Sequence, residues 1–182
     1  MSRLIPFHRL LLAGALALAA AVSVTQEAHA GPPAPGVPGE IQVDEGNKVF
    51  LIGHAVGVQI YTCNGITWSS AVPRANLYND HGKLIITHFR GPTWQARDGS
   101  QALGTVVNKV NLDRSAIDWV LLSTKTTPGP DGDRLAGTTF IQRIHTAGGV
   151  TPPAADCTAA TAGEVVEVPY TADYVFWKKT AT

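Results

Sequence analysis

No run of five like charges occurs in the 182 residues, and basic and acidic side chains balance at 14 each. A phosphate backbone is gripped by clustered Lys and Arg that displace counterions, so nucleic acid is not expected as a partner. Cysteine is scarce as well. Two residues, Cys63 and Cys157, are too few for a small scaffold held together mainly by disulfides. The glycines form neither GxGxxG nor a P-loop, and HExxH, His-x-His and GxSxG are all missing. These gaps leave no motif for a nucleotide cofactor, a metal or a serine nucleophile, so no cofactor and no metal are expected.

What is present begins with Arg3, His8 and Arg9, then an apolar run from Leu10 to Val22, then Ala28-His29-Ala30. This is the layout of a secretory signal peptide over residues 1–30, cleaved after Ala30. The apolar run is too short for a helix across a bilayer core, which needs about 20 residues. No transmembrane segment is therefore expected in the mature chain, and its location is secreted or periplasmic. The mature length suits one self-sufficient core, and a monomer is expected. In an oxidising compartment an even pair of cysteines reads as a Cys63–Cys157 disulfide rather than as two thiols.

Residues 31–39 (GPPAPGVPG) form an extended, exposed lead-in, and the domain covers 40–180. Within it, apolar and β-branched segments alternate with turn signals about every ten residues, and no segment sustains a helical period with caps. The prediction is an all-β fold, a single antiparallel sandwich or barrel with one disulfide. Gly53 and Gly57 read as a hairpin or sharp bend within 48–63. Ile66–Ser70 reads as strand, 164–168 and 170–177 as two separate strands, and Asp98-Gly99-Ser100 as a tight turn.

Candidate chemistry is sparse. His54 alternates with Phe50, Ile52 and Val56, and His88 with Leu84 and Ile86, so both imidazoles are expected to point with apolar neighbours. Asp173 and Arg143, both in β segments, are expected to pair. Trp94 follows Gly91-Pro92-Thr93, a rigid turn that could hold the indole at a rim, with packing in the core as the weightier reading. Trp68, Trp177, Tyr61, Tyr78, Tyr170 and Tyr174 add amphipathic rings of the kind that line ligand sites or fill β cores.

The segments GHAVGVQIYTC (53–63), HFRGPTW (88–94) with DGS (98–100), FIQRIHTAGG (140–149) and VPYTADYVFW (168–177) resemble a family of secreted bacterial and fungal proteins, domain of unknown function number 3455. Some fungal relatives carry a dehydrogenase label, but this chain has neither the glycine loop nor the strand-helix alternation of that fold. The resemblance implies a compact β domain whose motif positions cluster around His54, Gln59, Tyr61, His88, Trp94, Gln142, Arg143, Tyr170 and Asp173. Three functional readings follow. The first is a non-catalytic binding or envelope-associated module with an aromatic and polar pocket for a small-molecule or glycan ligand. The second is a secreted enzyme, either metal-dependent through His54, His88 and His145 or carboxylate-based through Asp173. The third is a structural or stress-related surface protein.

Overall fold

The computed structural model describes residues 31–181. The predicted signal peptide lies outside the described residues. Eight strands follow one another along the chain: β1 (Asn47–Thr62), β2 (Val72–Tyr78), β3 (Leu84–Phe89), β4 (Thr93–Ala96), β5 (Gln101–Val110), β6 (Trp119–Thr127), β7 (Thr138–Gly148) and β8 (Val165–Lys179). Each pairs with the next, and β8 returns to β1 along 15 residue pairs, which closes an all-antiparallel barrel. Closure leaves no unpaired sheet edge, and of the two predicted all-β architectures the barrel is the one observed.

Strand alternation sorts the side chains. Ala55, Gly57 and Gln59 of β1 stand beside Leu77, Ala75 and Pro73 of β2 and beside Ala172, Tyr170 and Val168 of β8. These positions face inward with Ile86, Trp94, Leu122, Ile141, Tyr174 and Phe176, whose contacts form the main core. Fully burying one such side chain as Phe176 contributes about 1.5–3 kcal/mol. Exposed Arg74, Asn76, Thr87, Glu167 and Thr171 occupy outward positions. A barrel that faces lipid has the opposite polarity. Among the described residues no helix is long and apolar enough to cross a membrane.

Four sequence expectations are corrected. β1 is one continuous strand, because Gly53 and Gly57 lie inside it rather than at a turn. A Cβ at Gly57 would collide with the Arg74 carbonyl oxygen and with Ala75, so this glycine permits the close approach of β2. Ile66–Ser70 is not a strand; Trp68 makes a single bridge to Cys63. The two predicted C-terminal strands are one, β8, with Pro169 inside it. Pro169 accepts from the Gly149 N–H on the side where β7 has ended, so its missing N–H interrupts no ladder. Finally, the lead-in is extended and mostly exposed, as expected, but not wholly so: its Val37, with Ile41 and Val43 of the domain just beyond it, packs on the outer wall over Val49, Leu121, Ile144, Val175 and Trp177.

One end of the barrel is shut and the other is not. At the shut end Leu135, fully buried in the β6–β7 loop, reaches the main core. Asp98 and Ser100 hold that loop in place. Arg134 N–H donates to Asp98 Oδ2 (2.8 Å), Leu135 N–H donates to Ser100 Oγ (3.0 Å), and Ser100 Oγ donates to Asp98 Oδ1 (2.6 Å). The Asp-Gly-Ser motif therefore fastens one barrel end. At the other end the Cys63–Cys157 disulfide, with 5.3 Å between the Cα atoms, joins β1 to the loop before β8. Tyr61 and Trp68 pack around it.

Candidate functional site

The open end leads into a cavity of about 560 Å³, lined by inward residues of several strands and by the 69–73 and 90–92 segments. Its volume falls in the range of small-molecule sites. Gln59, His88, Trp94, Arg143 and Tyr174 line it, together with Val106, Val120 and Leu122. A Cβ at Gly104 would approach Trp94 Cζ3 to 2.9 Å, so the glycine makes room for the indole.

The polar groups here are arranged by packing. His88 lies 7° from parallel with Trp94 at a centroid distance of 4.2 Å, and Tyr174 meets both rings edge-on. His88 Nδ1 lies 2.9 Å from the Thr93 carbonyl oxygen. A carbonyl only accepts, so Nδ1 carries the proton and Nε2 presents a lone pair. Burial drives the His88 pKa down to about 3, opposed by the Thr93 hydrogen bond and assisted by the charge of Arg143. The ring is neutral at ordinary pH.

Arg143 donates through Nε and one terminal nitrogen to the Asp118 carbonyl oxygen, at 3.0 and 2.9 Å. This fixes the guanidinium without neutralising it. Burial raises the Tyr174 pKa and the Arg143 charge opposes that rise, which puts the guanidinium beside the phenol. Tyr174 and Tyr170 share a hydroxyl contact of 3.2 Å, and burial likewise raises the pKa of Tyr170. Trp94 Nε1 is buried and has no hydrogen-bond partner. An unpaired buried donor is costly and calls for an explanation.

The nine motif residues do not form one cluster. Gln59, His88, Trp94 and Arg143 share the cavity, and Tyr61 lines an adjoining depression of about 440 Å³. Tyr170 lies inside the barrel through its contact with Tyr174. Gln142 faces outward beneath the lead-in, where it donates to the Ile41 carbonyl oxygen (2.7 Å) and accepts from Trp177 Nε1 (2.9 Å). Of the two readings of Trp94, packing in the core is the one observed: it is 1% exposed, because β4 turns it inward.

His54 and Asp173 also lie on the outer wall. His54 does share a face with Ile52 and Val56, as expected, but that face is the outer one: Ile52 packs with the outer-wall cluster and Val56 is exposed. Of the apolar neighbours that sequence spacing placed with it, Phe50 alone turns to the core, because the register shifts between Val49 and Leu51. The expected Asp173–Arg143 pair is not formed, since the two side chains face opposite sides of the wall. Asp173 instead bridges His54 Nδ1 (2.6 Å) and His145 Nδ1 (2.8 Å), and His54 Nε2 contacts Asp80 (2.8 Å). The Asp80 and Asp173 hydrogen bonds raise the His54 pKa. His145 sits in the left-handed region at φ 49°, where the β7–β8 register shifts. Among the described residues no group of three or more His, Cys, Asp or Glu side chains is placed to hold a metal ion.

Tyr174, grouped in sequence with the rings of a ligand site or a β core, lines the cavity, and Tyr170, Ala172, Tyr174 and Phe176 alternate on one face. Sequence reasoning overlooked Arg90, although it lies within the HFRGPTW segment, and the 69–73 segment, which carries no motif. Residues 44–178 match the model of a family described as a protein of unknown function, DUF3455. No curated protein and no solved structure matches the chain.

Proposed function

The chain belongs to the DUF3455 family, and since that membership assigns no activity, we propose from the cavity that it is a non-catalytic binding module for a small organic ligand. The observation that carries this reading is the cavity of about 560 Å³ at the open barrel end, with the His88 Nε2 lone pair and the Gln59 amide among its lining. Among the described residues neither group has a protein hydrogen-bond partner, which is the pattern of a few placed polar groups in an apolar wall. No carboxylate stands among the lining residues, so a two-carboxylate hydrolytic site is not supported there. The disulfide fits an oxidising compartment and supports export of the mature chain.

Thermal-shift measurements across small organic acids, alcohols, fatty acids and short glycans test this reading. The control is Val106→Trp, which places a bulky ring at a position that lines the cavity yet is 56% exposed. A ligand that raises the Tm of the wild type and leaves Val106→Trp unmoved supports the proposal. No stabilisation by any class, or equal stabilisation of the variant, would overturn it.

A further inference from the structure

We infer that the ligand is a small hydroxylated organic carboxylate with a planar body, seated with its carboxylate on Arg143 and its hydroxyl on His88. This inference rests on the binding reading above and specifies its ligand. The first ground is charge. The whole chain is neutral, with 14 residues of each sign, yet the charged side chains lining the cavity are Arg90 and Arg143, and those lining the adjoining depression are Lys109, Arg114, Arg143 and Asp118. The one carboxylate in the group is occupied by Lys109 at 2.9 Å, and that contact holds the Asp118 pKa below the usual carboxylate range. The open end is therefore locally cationic, a field that draws in anions.

The second ground is Arg143 itself. Its contacts with the Asp118 carbonyl use part of its five donors, and among the described residues no acidic side chain forms an ion pair with it. The Asp118 carboxylate feels the Arg143 charge but is in contact with Lys109, so Arg143 has no ion pair of its own, and its planar fork matches a ligand carboxylate through two parallel hydrogen bonds.

The third ground is the neutral part of the wall. His88 Nε2 accepts and cannot donate in the tautomer set by Thr93, so it demands a donor from the ligand. A hydroxyl provides one. The rings of Trp94, His88 and Tyr174, with Val120 and Leu122, give an apolar and aromatic lining suited to a flat unsaturated body.

Isothermal titration calorimetry with 4-hydroxycinnamate, cinnamate and 4-hydroxycinnamate methyl ester tests the inference on the wild-type protein, Arg143→Met and Val106→Trp. Because the ester and the deoxy compound vary the ligand, the test holds even where Arg143→Met fails to fold. The expectation is that the ester binds at least about tenfold more weakly than the acid, from loss of a charge-assisted contact, and that cinnamate binds about threefold or more weakly. Arg143→Met should abolish the preference for acid over ester, and Val106→Trp should weaken all three. Equal binding of acid and ester, with both weakened by Val106→Trp, would overturn the ligand class and leave the binding reading standing. Acid binding that survives Val106→Trp unchanged would place the anion on surface cations and overturn the inference. No binding by these probes, together with no hit in the wider thermal-shift panel, would overturn both.

Discussion

Removing the Cys63–Cys157 bond is the perturbation whose size follows most directly from the fold. The bond spans 94 residues of sequence, a loop that holds β2 to β7, and ties the end of β1 to the segment that precedes β8. In the chain-entropy account, releasing a loop of that length gives the unfolded state freedom worth about 4–5 kcal/mol. For a domain of this size each kcal/mol moves the Tm by roughly 2–4 °C, so a fall of about 8–20 °C is predicted. The native barrel should survive at low temperature, because its main core lies apart from the small cluster of Tyr61, Trp68 and the two sulfurs. The assay is thermal and urea unfolding, followed by far-UV circular dichroism, of the Cys63→Ala/Cys157→Ala double variant beside the oxidised wild type. A reduced Tm with an unchanged low-temperature spectrum is expected. A shift below about 3 °C would refute the reasoning, since the long loop would then be ordered in the unfolded state or the bond strained in the native one.

Other consequences are equally open to measurement. Gly57→Ala should cost roughly 1–3 kcal/mol in urea unfolding, the cost of overpacking, because its Cβ meets the backbone of β2 rather than a yielding side chain. His88 should not titrate between pH 8 and 4 by NMR. Its folded pKa lies below the unfolded value of 6.5, so its contribution is present above pH 6.5 and is lost as pH falls toward 3. A titration midpoint near 6.5 would contradict its burial. His54 should behave in the opposite sense, with a pKa above 6.5 that falls on Asp80→Asn and on Asp173→Asn. Its pairing stabilises the fold below pH 6.5, and that contribution is lost as pH rises through the raised pKa. The contact is solvent-screened, so the stability change should stay within about 1 kcal/mol.

The strands were legible because Val, Ile and aromatic segments are broken by Asn-Asp-His-Gly and Asp-Gly-Ser turns, whose chemistry is local. Closure was not legible, because the pairing of β1 with β8 joins residues more than a hundred positions apart and no local signal records it. Glycine misled at Gly53 and Gly57, where it admits a neighbouring strand, and proline misled at Pro169, where the missing N–H falls beyond the end of β7. The same limit governed the site. His88 and Trp94 were singled out from their neighbours, but their stacking depends on the β3–β4 register. Arg143 and Asp173 both looked buried in sequence. Which side of the wall each faces depends on parity through bulges, and those shift the pattern by one residue. His145 was named beside His54 and His88, but its contact with Asp173 rests on a left-handed backbone at the β7–β8 register shift, which no local signal records.

Whether the open barrel end holds an anionic organic ligand on Arg143 is decided by a crystal structure of the protein grown with 4-hydroxycinnamate. The carboxylate should lie within hydrogen-bond distance of the Arg143 guanidinium, the ring inside the barrel, and the hydroxyl near His88 Nε2. Ligand density confined to the outer wall, or inside the barrel with its carboxylate turned away from Arg143, would contradict the account.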